Sequence, residues 1–99
     1  MIMLLYPVSA AAVTGVVSKV DVCGIGHAIF KTSSGLYVTA RYLSGEVLET
    51  GEQVSGKLKT YGVQSIVTPS GRKGNYYIIE FKSNRLDAVR AFCGSRWNK

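Results

Sequence analysis

The chain has 99 residues, with 12 Lys or Arg against six Asp or Glu and a formal net charge of +6. That length makes one domain with one modest core, which is expected to need neither disulfides nor metal to hold it. His27 is the only histidine, and no Ser/His/acid or Cys/His set assembles around it, so the chain reads as a binding protein and not an enzyme.

Residues 1–12 are apolar and end in small residues. No Lys or Arg precedes the apolar run, Pro7 interrupts it, and it is too short to cross a bilayer. It reads as an extended arm or an edge strand, suited to a homodimer contact. A cleaved signal, and with it a secreted or periplasmic protein, is the alternative to a cytoplasmic one.

Val, Ile, Thr and Tyr runs separated by Gly predict strands. The first spans 13–22 and the second 25–31. After the turn Ser33-Ser34-Gly35, a third spans 36–42. Its alternation turns Leu36, Val38, Ala40 and Tyr42 inward and leaves Tyr37, Thr39 and Arg41 outside. Residues 43–52 form an acidic connection; the spacing of Glu46, Glu49 and Glu52 matches no cation loop and reads as a solvated turn. A fourth strand over 53–61, continuing past Gly62 as a bulge to Thr68, turns Val54, Gly56, Leu58 and Thr60 inward. Lys57, Lys59 and Tyr61 then face solvent together. Residues 68–75 are a long polar turn in which Arg72 and Lys73 reach for phosphates. The fifth strand, 76–82, places Tyr77, Ile79 and Phe81 inside and Tyr76, Ile78, Glu80 and Lys82 outside. Ser83 or Asn84 caps a final helix with Asp87 in its first turn and a Leu86, Ala88, Val89, Phe92 stripe, ended by Gly94. This helix is expected to plug one end of the barrel; the alternative is a basic clamp, with Arg85, Arg90 and Arg96 along it, that helps hold a strand.

Five short strands with a long third connection predict an all-β fold: a small OB-like Greek-key barrel over 13–82, with the helix and tail at 83–99. An SH3-like barrel is the alternative. Cys23 and Cys93, with no Cys-x-x-Cys or His partner, make no zinc site and read as free buried thiols of a reducing cytosol, with a single disulfide as the alternative.

The charge is uneven. Residues 1–52 carry a net −1 and residues 53–99 a net +7. That split fits a surface facing a polyanion, and no segment is a basic amphipathic helix of the kind that lies on membranes.

Four segments carry a resemblance. Gly15-Val16-Val17-Ser18-Lys19-Val20 looks like an opening strand, and Gly24-Ile25-Gly26-His27-Ala28-Ile29 like a Lys-Gly-Phe-Gly-Phe-Ile motif. Leu36-Tyr37-Val38-Thr39-Ala40 looks like Val-Phe-Val-His-Phe, and 48–54 like an acidic turn entering a fourth strand. Together they resemble the cold-shock domain, a nucleic-acid-binding OB-fold, over residues 15–58. The resemblance implies single-strand binding through stacked bases. Ile25 replaces the first ring, His27 takes the second ring position and Tyr37 keeps a ring. Thr39 and Ala40 stand at the family's His and Phe positions, Cys23 at its Lys, and Lys19 near its Trp.

The expected partner is single-stranded DNA or RNA, bound with little sequence preference and without cofactor or metal. Cations pair with phosphates and rings stack on bases. The candidate residues are Lys19, His27, Lys31, Tyr37, Arg41, Lys57, Lys59, Tyr61, Arg72, Lys73 and Tyr76. The alternative is a protein-interaction module of the same fold, using the apolar arm and an exposed Ile78.

Overall fold

Two antiparallel meanders build the barrel. In the computed structural model, which describes residues 13–93, β1 (Val13–Val20), β2 (His27–Thr32) and β3 (Tyr37–Gly45) form the first. β4 (Gln53–Gly56), β5 (Gly62–Val67) and β6 (Lys73–Lys82) form the second, and α1 (Arg85–Cys93) follows. The strands close in the order β1-β2-β3-β6-β5-β4. β4 returns by a long connection to lie beside β1, which makes a Greek key. The all-β barrel with a short C-terminal helix implied by the sequence is what forms, with six strands where the pattern implies five.

The extra strand comes from the expected fourth one. Ser55 pairs with Val67 and Gly56 with Ile66, so β4 and β5 are two arms of a hairpin and residues 57–61 are its turn. Gly56 and Gly62 have φ of 154° and 90°, which glycine alone adopts readily. A Cβ on Gly56 would also lie 2.7 Å from the Ser65 carbonyl oxygen. Leu58 is fully buried in the core between the exposed Lys57 and Lys59. The alternation of that segment is real, but it belongs to a turn anchored by one leucine.

Val17, Phe30, Val38, Leu48, Ile66 and Ile78 fill the interior around Tyr76. The Tyr76 ring meets Phe30 edge-on at 5.2 Å and Tyr42 at 5.6 Å. Tyr76 and Ile78 therefore face inward and Tyr77 outward, the reverse of the alternation expected for this strand. A bulge is the cause. Thr39 pairs with Glu80 but Ala40 with Ile78, so Ile79 is an extra residue that flips the phase of everything before it. Beyond the bulge Phe81 still packs against the core, as expected.

Tyr76 cannot then be a binding residue. Its Oη accepts the Leu48 N–H at 3.2 Å inside the barrel, and burial pushes its pKa up. Tyr76→Phe keeps the ring but leaves that N–H without an acceptor, at an expected cost of about 1–3 kcal/mol in urea unfolding. The raised pKa also predicts an alkaline effect. Tyr76 contributes full stability below the unfolded tyrosine value of about 10 and loses it as pH rises towards the folded value. The phenylalanine variant should lack this loss; matching alkaline profiles would show that Tyr76 is not responsible for it.

α1 does not plug an end. It lies on the outer face of β2 and β3, where Ala88 and Cys93 pack on Val22 and Ile29, with Tyr37, Val89 and Phe92 around them. Thr39, expected in solvent, is fully buried, and Tyr37 is half-buried. Asn84 starts the helix: its Oδ1 accepts the Asp87 N–H at 2.9 Å and its Nδ2 donates to the Asp87 carboxylate. A disulfide between Cys23 and Cys93 ties the end of α1 to the β1–β2 loop, so these are not free thiols. The expected arm, residues 1–12, and the expected stop at Gly94 lie outside the described residues.

Candidate nucleic-acid interface

Successive connections of an antiparallel barrel alternate between its ends. Residues 33–36, 57–61 and 83–84 lie at one end, and residues 21–26, 46–52 and 68–72 at the other. The first set carries Lys57 and Lys59 and no carboxylate. The second carries Asp21, Glu46, Glu49 and Glu52 against Arg72. Folding has thus sorted the loop charges by end.

Around the basic end, cations and rings follow one another along the rim. Lys31 Nζ lies 5.7 Å from the centre of the Tyr37 ring. Tyr37 pairs across the sheet with Lys82. Beside Lys82, Phe81 carries the Tyr61 ring stacked at 4.7 Å. Tyr61 is 64% exposed, so its outer face is open. The turn that delivers Tyr61 also presents Lys57 and Lys59. Among the described residues, Lys31, Lys57 and Lys59 make no ion pair, whereas Lys82 meets Glu80 at 3.0 Å.

Five of the expected residues (Lys31, Tyr37, Lys57, Lys59, Tyr61) meet on this rim, and six do not. Arg72 sits at the opposite end, where it bonds Glu52 at 2.6 Å and the Val47 carbonyl at 2.6 Å and pairs with Glu46 at 3.7 Å. It fastens the acidic connection to the β5–β6 turn and is not free to hold a phosphate. Lys73 begins β6 at that same end. His27 stacks on Phe92 at 4.1 Å, and its Nδ1 donates to the Val22 carbonyl at 2.9 Å, so the helix occupies its ring. Arg41 is exposed on the outer sheet face in a row with Tyr77 and Val63. Lys19 flanks a cleft of about 370 Å³ between β1 and α1. Tyr76 is inside the core.

Lys82 and Phe81 belong to the rim although the sequence pattern did not single them out; the Tyr37–Lys82 pairing that brings them in is a long-range contact. The Arg72 cluster has a pH consequence. The Glu49 N–H, with help from Arg72, holds the Glu52 carboxyl below the usual range. Its contribution is therefore present above the unfolded value of about 4.3 and is lost as pH falls through the lower folded value. Melts of Glu52→Gln should show a flatter acid limb than wild type; identical limbs would mean the cluster adds nothing.

No protein family, curated protein or solved structure matches the chain. Fold and site together define a small closed Greek-key barrel with a disulfide-tied helix on one face and a rim of alternating cations and rings at one end.

Proposed function

We propose that the protein binds single-stranded DNA or RNA at this rim, with little sequence preference, as a binding module and not an enzyme. The observation that carries the reading is that Lys31, Tyr37, Lys82, Tyr61, Lys59 and Lys57 lie at one end of the barrel, with Lys82 paired to Glu80 and with no carboxylate in the connections 33–36 and 57–61. Flat rings give a base a surface that is indifferent to its identity, worth about 1–3 kcal/mol per stacked base, while the lysines neutralise phosphate. The cold-shock resemblance supports the same activity but shares only Tyr37 with this rim, since α1 covers the face that holds His27 and Thr39.

Fluorescence anisotropy of labelled single-stranded DNA, single-stranded RNA and duplex DNA at two salt concentrations tests it. Salt-sensitive binding that favours single strands is expected. Equal binding to all three, vanishing at moderate salt, would mean only that a basic protein attracts polyanions.

A protein-interaction module is the second reading, favoured by one observation. Tyr77 and Val63 are cross-strand neighbours, 47% and 60% exposed, on the outer face of β6 and β5. Ile78, which that reading places at the surface, is buried. No binding of any nucleic acid at low salt would move the assignment there. The disulfide also supports an oxidising compartment over the cytosol.

A further inference from the structure

We infer that the strand is RNA, and that a groove beside the rim reads its 2′-hydroxyls. This rests on the rim being a nucleic-acid site. The groove, of about 640 Å³, runs over β1 and β4 from Lys31 to the Thr68-Pro69 turn. That volume lies within the range of about 300–1,000 Å³ typical of ligand clefts.

Its lining combines hydroxyl and amide side chains with Val16, Val54 and Pro69. Thr14 stands directly across from Ser55, and Val16 from Gln53, so Thr14, Ser55 and Gln53 share one outer face of two paired strands. Ser33 closes the end beside Lys31. Among the described residues, the side chains of Thr14, Ser33, Gln53 and Ser55 make no hydrogen bond to protein, and no carboxylate lines the groove. Three hydroxyls and an amide each donate and accept. A ribose 2′-hydroxyl does the same, and it is the group that lets a protein tell RNA from DNA. Lys31 belongs to both the rim and the groove, so a backbone held at the rim by that cation continues into the groove. Gly15 and Gly51 in the lining carry no side chain to block it.

The groove is open to water, so unused hydroxyls stay hydrated and the discrimination is moderate. One net hydrogen bond changes affinity about two- to tenfold. Two read hydroxyls give an expected preference of about tenfold.

The test uses the full chain and three labelled oligonucleotides of one sequence: RNA, DNA with uracil bases, and RNA with 2′-fluoro sugars. The fluoro sugar keeps the ribose pucker but cannot donate a hydrogen bond. RNA should bind about tenfold more tightly than either. Gln53→Ala with Ser55→Ala should bring the RNA-to-DNA ratio close to one; if that pair disturbs folding, Thr14→Ala should narrow the ratio by about two- to threefold. Equal binding of RNA and DNA by the wild type overturns the inference and leaves the rim standing. Fluoro-RNA that binds like RNA also overturns it, by showing that pucker is read. Failure of all three to bind at low salt removes both the rim and the groove.

Discussion

Replacing Cys23 and Cys93 by serine lowers stability by about 4 kcal/mol, on the chain-entropy account of a cross-link closing a loop of this length. The two cysteines are 70 residues apart, so the bond encloses most of the described chain, and its removal frees the unfolded ensemble accordingly. A second effect is local. α1 has nine residues, too few to persist in water by helix propensity alone. Its hold on the barrel is a small cluster of Ala88, Val89, Phe92 and Cys93 on Val22, Ile29 and Tyr37, together with the Asn84 cap. Without the disulfide the last turn is held only by that cluster and by the Phe92–His27 stack. Urea unfolding of the oxidised protein and the double serine variant measures the global loss, and hydrogen exchange at the amides of residues 88–93 reports the local one. The expected result is a lower midpoint together with early exchange in α1 while β1 to β6 stay protected. An unchanged midpoint would show that the bond does not constrain folding.

Local alternation made β1, β2 and β3 legible, and the barrel class with them. It failed where long-range pairing decides. In β6 the bulge at Ile79 is set by the partner β3, so Tyr76 looked like an outer ring although it is the centre of the core. In residues 53–61 a period of two described both a strand and a turn with one buried leucine, and only the pairing of Ser55 with Val67 separates them. The position of α1 was hidden for the same reason. Its apolar stripe says that one face is covered but not by what, and two cysteines 70 residues apart carry no local sign that they meet. The rim was half visible. Lys57, Lys59 and Tyr61 share the β4–β5 turn, because neighbours in sequence stay neighbours in a turn. Lys31 and Tyr37 are candidates from the sequence too, but strand pairing is what sets them at the same end, together with Lys82. Arg72 was misassigned because its ion-pair partners, Glu46 and Glu52, lie 26 and 20 positions away.

Lys57→Glu combined with Lys59→Glu should abolish single-strand binding while the barrel stays folded. Both side chains are exposed in the β4–β5 turn, and the buried Leu58 between them is untouched. A lysine about 4 Å from a phosphate is worth about 1 kcal/mol in water, and reversal turns that attraction into a repulsion of like size. Two reversals therefore cost about 4 kcal/mol, roughly a thousandfold in affinity at low salt. Neutral variants separate charge from stacking. Each phosphate contact on a single strand contributes about 0.7 to the slope of log affinity against log salt. Lys57→Ala with Lys59→Ala should lower that slope by about 1.4, whereas Tyr61→Ala should weaken binding by about 1–3 kcal/mol and leave the slope unchanged. Tyr61 has a packing role as well, on Phe81, so a melt of Tyr61→Ala is needed beside the titration. If the charge-reversed protein is folded and binds as tightly as wild type, the rim is not the site. If Tyr61→Ala changes only the melt, the ring packs against Phe81 and does not stack on a base.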